Sequence, residues 1–518
     1  MTQEQALNIL KTGANVFLTG EPGSGKSFVT NAYVSYLKRA KIEAAVTAST
    51  GIAATHIGGR TIHSWSGIGI KKPLSAWDVD AIASSDWIVK RIDHARVLII
   101  DEVSMLDGDT LLSVDRVCRA VKRVALPFGG LQVVFVGDFF QLPPIAPGSS
   151  FAFTSKPWQE ANPLVCYLSE QHRQEDPAFL RLLSSIRQGT VTEEDGETLS
   201  RRRVGRAEEV PGGALKLYTH NVDVDRINEK ELEGIAGAAE TFCMTASGKK
   251  SLIETLKRGC LSPEALLLKK GASVMFTKNH QQGMYVNGTL GTVTDFDKYS
   301  GYPLIKTRDG RRVVAEPADW SVEEHGRMMA KVTQIPLRLA WAITVHKSQG
   351  MSLDAAVVDL SHAFVEGQGY VALSRVRTLA GLSLFGWNEM ALTVHPDVVG
   401  QDARFRDQSL DSEAVFGAME KAERDRLHTA FVKAQGGVMP SASDERRAGS
   451  SGTGFSLDRV RRKHPNAYRP WSEEEDARLA ELHAARKTVK DISKSLGRQP
   501  GAIRSRLVKT GLVLAEGV

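Results

Sequence analysis

Residues 20 to 27 read Gly-Glu-Pro-Gly-Ser-Gly-Lys-Ser, between the apolar run Val16, Phe17, Leu18 and a stretch of helical composition from Ser27 to Arg39. Strand, glycine-rich loop and helix in that order restrict the chain to an α/β layout in which the loop caps the carboxyl end of a buried strand. The glycines let backbone N–H groups turn toward an anion, and the helix adds its positive N-terminal end. The loop is therefore expected to bind a nucleoside triphosphate. Gly20, Gly23, Ser24 and Gly25 would cradle the phosphates, Lys26 would hold the β- and γ-phosphates, and the Ser27 hydroxyl would ligate Mg²⁺.

Kinases, transporters, GTPases and motors all use such a loop, so its companions decide between them. The run Arg96-Val97-Leu98-Ile99-Ile100-Asp101-Glu102 reads as a buried parallel strand delivering two carboxylates at its C-terminal edge, where the loop also sits. Asp101 is expected to hold the Mg²⁺ shell and Glu102 to polarise an attacking water, which points to hydrolysis rather than transfer. A further apolar strand, Val133 to Val136, leads into Gly137-Asp138-Phe139-Phe140-Gln141. The Gln141 amide can donate to a γ-phosphate oxygen and accept from a water, so it can report whether that phosphate is present.

The series GEPGSGKS, VTASTGIAATHIGGRTIHSW (46 to 65), DEVSML (101 to 106), GDFFQLPP (137 to 144), AWAITVHKSQGMSLD (340 to 354) and YVALSRVR (370 to 377) resembles superfamily 1B DNA helicases. The nearest resemblance is to the Pif-one (petite integration frequency) family, whose own signature is similar to the stretch from Met105 to Pro127-Phe128-Gly129-Gly130. RecD-like helicases share many of these motifs. The resemblance implies ATP and Mg²⁺ in a cleft between two RecA-like domains. It also implies that Arg173 and Arg375 stabilise charge on the transferring phosphoryl group, and that Gln5 reads adenine. For DNA, it implies sequence-neutral contacts from Thr47, Ser49, Thr50 and His63 in the first half, and from Asn287, His346, Lys347, Ser348 and Gln349 in the second. Trp65, Phe139, Phe140, Tyr285 and Trp341 are candidates for stacking on bases.

The fold class expected is α/β: two RecA-like P-loop domains, a small wedge insertion, an SH3-like β insertion and an all-α helix-turn-helix tail. The first RecA-like domain covers 1–165 with the wedge at 66–95, and the second covers 166–239 and 336–400. The β insertion at 240–335 contains the apolar run Ala272 to Phe276 and hairpin-like segments around Gly288 and Gly310. Residues 401–455 read as a helical segment followed by a Gly/Ser-rich linker, and 456–518 as a tail domain.

That tail opens on Trp471-Ser472-Glu473-Glu474-Glu475-Asp476, in which Ser472 and Glu475 make a capping box and the whole resembles a Myb-type start. Two more short helices follow, from Thr488 to Leu496 and from near Pro500, a helix-turn-helix order. Arg498, Arg504 and Lys509 lie on or near the last of them and are read as DNA contacts. The formal net charge of +6 is concentrated here, since residues 456 to 518 hold 14 basic and 8 acidic side chains and the remainder is balanced.

The four cysteines show no C-x-x-C spacing, so neither a disulfide framework nor a zinc site is expected. Nothing near the N-terminus reads as a signal peptide and no apolar run approaches the roughly 18 residues of a membrane span. The expectation is a cytoplasmic, nucleoid-associated monomer acting on single-stranded DNA and duplex junctions alongside repair or replication proteins. Its activity would be ATP-dependent 5′ to 3′ unwinding. The alternatives are an ATP-gated DNA-binding regulator and a RecD-like motor subunit of a larger complex.

Overall fold

The computed structural model describes residues 1–69, 74–144, 148–170, 176–205, 215–280, 284–285, 287–308, 310–324, 327–349, 351–440, 472–485, 487, 489–498, 503, 506–507 and 510. Arg173, Arg504 and Lys509 lie outside them. The chain divides into two compact units: Met1–Asn279 with Tyr285–Phe296 and Tyr302–Asp444, and His280–Met284 with Asp297–Gly301 and Glu445–Val518.

In the first unit, β1 (Val16–Gly20), β2 (Ala44–Ala48), β3 (Arg60–Thr61), β4 (Val97–Asp101), β5 (Gln132–Val136) and β6 (Leu164–Leu168) form one parallel sheet in the order β3-β2-β4-β5-β1-β6. The register pairs Ala48 with Asp101, Ile100 with Phe135 and Leu18 with Val136, so the strands end together. One edge of the sheet therefore carries the phosphate loop, the Asp101–Glu102 pair and the Asp138–Gln141 turn. Every residue of β1 and β5 is buried, as expected of parallel strands covered on both faces.

A second parallel sheet contains β7 (Leu215–Tyr218). Between β7 and its partners the chain builds β8 (Glu240–Cys243), β9 (Thr245–Gly248), β10 (Ala265–Leu268), β11 (Ser273–Phe276), β12 (Leu290–Phe296), β13 (Pro303–Thr307), β14 (Arg312–Val314), β15 (Ala318–Glu324), β16 (Arg327–Gln334) and β17 (Leu337–Leu339). These make antiparallel sheets in the orders β14-β13-β12-β11-β17 and β15-β16-β9, and a β10-β8 pair. The chain then returns through β18 (Ala342–Thr344), β19 (Ala356–Leu360) and β20 (Leu382–Trp387) to complete the order β18-β7-β19-β20. Both α/β layers and the antiparallel insertion thus follow the expected fold class.

The Pro127–Gly130 signature works as a structural clamp. Phe128 is fully buried with φ +51°, and its N–H donates to Asp115 Oδ1 at 2.6 Å, while Asp115 also accepts from Arg119. The motif pins its own loop to the helix Gly108–Lys122.

Beyond Gly400 the chain stays packed on the first sheet. The helices Pro396–Ala418 and Lys421–Ala434 strap back across the first sheet. Phe405 joins a ring cluster 4.9 Å from Phe17 and 6.1 Å from Phe139, Ser409 Oγ accepts from Tyr167 N, and the His428 ring nitrogen bonds Asn8 O. The strap extends into the segment read as linker, because Val438 N donates to Ala40 O at 2.8 Å.

The tail has its own small core of Leu479, Ile492, Leu496, Ile503 and Leu507. Its first helix, Glu473–Ala484, starts on the expected Ser472–Glu475 capping box, and the second is Val489–Leu496. Arg498, read as a DNA contact, is instead buried, with Nε and Nη2 on the Glu475 carboxylate at 2.9 and 2.6 Å. Arg506 pairs with Asp476 in the same way. Among the described residues no helix is long and apolar enough to cross a membrane.

Because Phe405 seats the strap against four buried aromatics, Phe17, Phe139, Phe153 and Trp158, Phe405→Ala is expected to lower unfolding free energy by about 3 to 5 kcal/mol in urea titration. A loss below about 1 kcal/mol would show that the strap is peripheral.

Candidate nucleotide and DNA site

The phosphate loop leaves β1 with Gly20, Gly23 and Gly25 at φ +143°, +93° and +90°. Gly25 caps the helix Lys26–Arg39 at φ +90°, a left-handed conformation that favours glycine, and a Cβ there would also displace the Gln3 amide, 2.1 Å away. Lys26 Nζ donates to Gly20 O at 2.6 Å and Glu21 O at 3.0 Å. The Ser24 hydroxyl is buried and has no hydrogen-bond partner among the described residues, whereas Ser27 is exposed on the first helical turn. A nest of N–H groups, a lysine and two hydroxyls suit a triphosphate and its Mg²⁺.

At the end of β4, Asp101 Oδ1 accepts from Glu102 N at 2.8 Å. Glu102 has φ +52° and ψ +45°, a left-handed conformation uncommon for a glutamate and concentrated at functional sites. Three bonds hold this turn: Ser49 N to Asp101 O at 3.1 Å, Ser49 Oγ to Glu102 O at 2.8 Å, and Gln349 Nε2 to Glu102 Oε2 at 3.1 Å. The last comes from the turn that follows β18 of the second sheet. Loss of hydration raises both carboxyls above their ordinary range; the Asp101 charge raises Glu102 further, the Glu102 N–H lowers Asp101, and Lys26 pulls both back.

Gln141 is buried, its Nε2 3.4 Å from Asp138 Oδ2. The second sheet closes directly over this turn: a Cβ on Gly367 would meet Phe140 O at 2.6 Å and Gln141 O at 2.8 Å. Gly367, at φ +78°, starts the helix Gln368–Leu373 that leads to Arg375. Arg375 is 2% exposed, donates to Val371 O at 2.9 Å and Ser374 Oγ at 3.0 Å, and lies close enough to Glu102 for each to feel the other's charge.

Several residues stand elsewhere than the sequence suggested. Gln5 is the third residue of the first helix, and its Oε1 accepts from Thr2 N at 2.7 Å in a capping box. The residue that reaches the phosphate loop is Gln3, whose Nε2 donates to Ser24 O at 3.2 Å. Thr47 is fully buried and donates to Ile99 O at 2.7 Å, so it holds β2 to β4 and is not a DNA contact. Ser49 is committed to the Glu102 turn, and Thr50 Oγ1 accepts from Ala53 N at 3.2 Å. Trp65, Phe139, Phe140 and Tyr285 are core rings rather than exposed stacking platforms. His63 remains half-buried on the helix Ile62–Ser66, and His346 and Lys347 half-buried on the turn His346–Ser348. Burial lowers the pKa of both His346 and Lys347. Asn287 N donates to Asn279 Oδ1 at 2.8 Å within its turn.

Sequence reasoning passed over Arg187. It is buried in the helix Pro177–Gln188, with Nη1 on both Asp138 oxygens at 2.9 Å. The available signal was its place at the four-residue spacing of Phe179 and Leu183, an arginine on an apolar stripe.

As the expected base Glu102 would have to be ionised, and its pKa is raised. The acid limb of the kcat profile is thus expected above the ordinary glutamate value of about 4.3, activity falling as pH drops through the raised value. Gln349→Ala removes a donor to the ionised form and is expected to move that limb further up. A limb at the ordinary value in both proteins would contradict this assignment.

Residues 2–197 match the model for PIF1-like helicase, and residues 251–296 match that for the DNA helicase Pif1 2B domain. The chain is 41% identical over 505 residues to the ATP-dependent DNA helicase Pif1 of Psychrobacter sp. (strain PRwf-1), covering 86% of this chain and 76% of that one. It is similar to the crystal structure of Bacteroides sp Pif1 in complex with ADP-AlF4, at 30% identity and TM-score 0.69 over 78% of this chain and 96% of the other. The Bacteroides Pif1 bound to ssDNA is 31% identical with TM-score 0.53, over 78% and 95%. With the phosphate loop, the carboxylate pair and the second-sheet arginine at one edge, these likenesses establish that the chain belongs to the PIF1-like helicase family.

Proposed function

We propose that the chain is an ATP-dependent DNA helicase that moves 5′ to 3′ along single-stranded DNA and separates duplex at junctions, in repair, recombination or replication, from a nucleoid-associated place in the cytoplasm. The observation that carries the motor reading is the bond from Gln349 of the second-sheet region to Glu102 of the first. A hydrolytic carboxylate held from both bodies makes chemistry depend on their closure.

The loop and Lys26 hold the triphosphate, while Ser27 and Asp101 would hold Mg²⁺, which supplies charge neutralisation at the phosphates. Glu102 takes the proton of the attacking water, Gln141 senses the γ-phosphate, and Arg375 stabilises the charge that develops as its bond breaks. Arg173 is assigned the same task by family pattern. The Glu102–Gln349 bond ties this site to the turn bearing His346 and Lys347, so a strand lying on that turn is felt at the catalytic carboxylate. Contacts of this kind fix register and read no base. The direction of travel rests on the family resemblance, and the basic tail is assigned to DNA capture, by Arg504 and Lys509.

Strand displacement on duplexes with a 5′ or a 3′ tail tests the reading. Unwinding is expected only from the 5′ tail, and Lys26→Ala should abolish hydrolysis while single-strand binding survives. ATP hydrolysis without strand separation on either substrate would instead indicate a DNA-binding regulator.

The tail gives a separate expectation. A cut after Pro440 spares the Val438–Ala40 contact, which a cut at Ala434 would remove. That truncation should leave hydrolysis at saturating single-stranded DNA nearly unchanged and weaken binding, with the lost part the most salt-sensitive. Equal binding at low salt would make the tail a protein-docking module.

A further inference from the structure

Arg187 touches four separate elements of the motor from one buried position, one of them the helix Pro396–Ala418, whose Asp402 Oδ1 lies 3.5 Å from its Nη2. Its Nη1 lies 2.9 Å from both Asp138 oxygens and 3.1 Å from the Tyr370 hydroxyl, and its Nη2 lies 2.7 Å from the Tyr167 hydroxyl. The guanidinium carbon is 4.0 Å from the centre of the Phe140 ring. Asp138 is in turn shared, its Oδ1 accepting from Phe140 N at 3.2 Å and its Oδ2 from Gln141 Nε2 at 3.4 Å. Tyr370 sits on the helix Gln368–Leu373, and Arg375 is bonded to that same helix through Val371 O. One guanidinium therefore joins the turn that bears Gln141 to the helix that leads to Arg375.

Stability alone does not explain such a group. Removing an arginine and an aspartate from water costs several kcal/mol each, and well-packed apolar residues of equal volume often serve a core as well or better. What the pair supplies is direction. The fork fixes Asp138 and Tyr370 relative to each other, so a displacement of the Gln141 turn cannot be absorbed by soft packing.

We propose that Arg187 is the positioning residue that transmits the γ-phosphate state from Gln141 to the Arg375 helix, through Asp138 on one side and Tyr370 on the other. This rests on the helicase reading above. When Gln141 moves toward the phosphate, its amide draws on Asp138. The carboxylate carries the guanidinium with it, and Tyr370 shifts the helix that aims Arg375. Tyr167, at the end of β6, anchors the other arm of the fork, so the movement becomes a rotation about a fixed hydroxyl.

Tyr370→Phe tests this with least disturbance, because it removes one hydroxyl and keeps the ring. The measurements on the full-length chain are kcat with and without single-stranded DNA, KM for ATP, melting temperature, and a double-mutant cycle with Gln141→Ala. Transmission through Arg187 predicts a melting temperature within about two degrees of the parent and an ATP KM within about twofold. It predicts a loss of about tenfold in DNA-stimulated kcat, and no further loss when Gln141→Ala is added. Arg187→Lys keeps the charge beside Asp138 without the fork, and should lose the same stimulation while still folding. A purely structural role predicts instead a lowered melting temperature, kcat and KM changing together, and losses that multiply in the double variant; that pattern, or full stimulation in Tyr370→Phe, overturns the proposal. The parent protein separates the two levels. If its hydrolysis ignores DNA the helicase reading itself fails, whereas normal stimulation in the parent and in both variants removes only the role given to Arg187.

Discussion

The amide of Gln349 donates to the carboxylate of Glu102 at 3.1 Å, and the rest of the site is arranged around that contact. Glu102 stands at φ +52°, a conformation costing of order 1 kcal/mol or more that persists only where its surroundings fix it. Ser49 supplies part of that constraint from β2 and Gln349 the rest from the second sheet region. Glu102 is thus held by residues from the regions of both parallel sheets. Arg375 answers to the same geometry, buried close enough to Glu102 for each to feel the other's charge.

Glycine at 367 and the clamp at Phe128 serve the same end from opposite sides. The Gly367 backbone approaches the Gln141 turn so closely that any side chain would push the second sheet away. Phe128, pinned by Asp115, fixes the helix Gly108–Lys122 behind the Asp101–Glu102 strand end. The strap of Pro396–Ala434 then locks the strand edge from the far side through Phe405, Ser409 and His428.

The phosphate loop, the two carboxylates and the tail's capping box were legible because each is a local pattern: spacing and residue type alone define a nest, a strand end or a helix start. Thr47 was misjudged because a hydroxyl at a strand end looks the same whether it faces a phosphate or the carbonyl of Ile99. Phe139 and Phe140 were misjudged for the converse reason, since burial of an aromatic depends on partners such as Trp158 and Phe405 that lie far along the chain. Arg187 and the strap are tertiary facts. The first shows only as an arginine on an apolar stripe, and the second only as amphipathic helices whose docking site no local pattern names. Arg498 belongs with them, a basic residue on the expected surface helix that is instead buried against Glu475.

The most direct test of a hydrolytic site completed by the second sheet is the turnover of Arg375→Ala at saturating ATP and single-stranded DNA, measured beside ATP binding. Removal of an arginine acting on the transferring phosphoryl group predicts a fall of about 10³-fold or more in kcat with binding of ATP retained. A kcat within about fivefold of the parent, with binding intact, would contradict it and leave the first sheet as a self-sufficient ATPase.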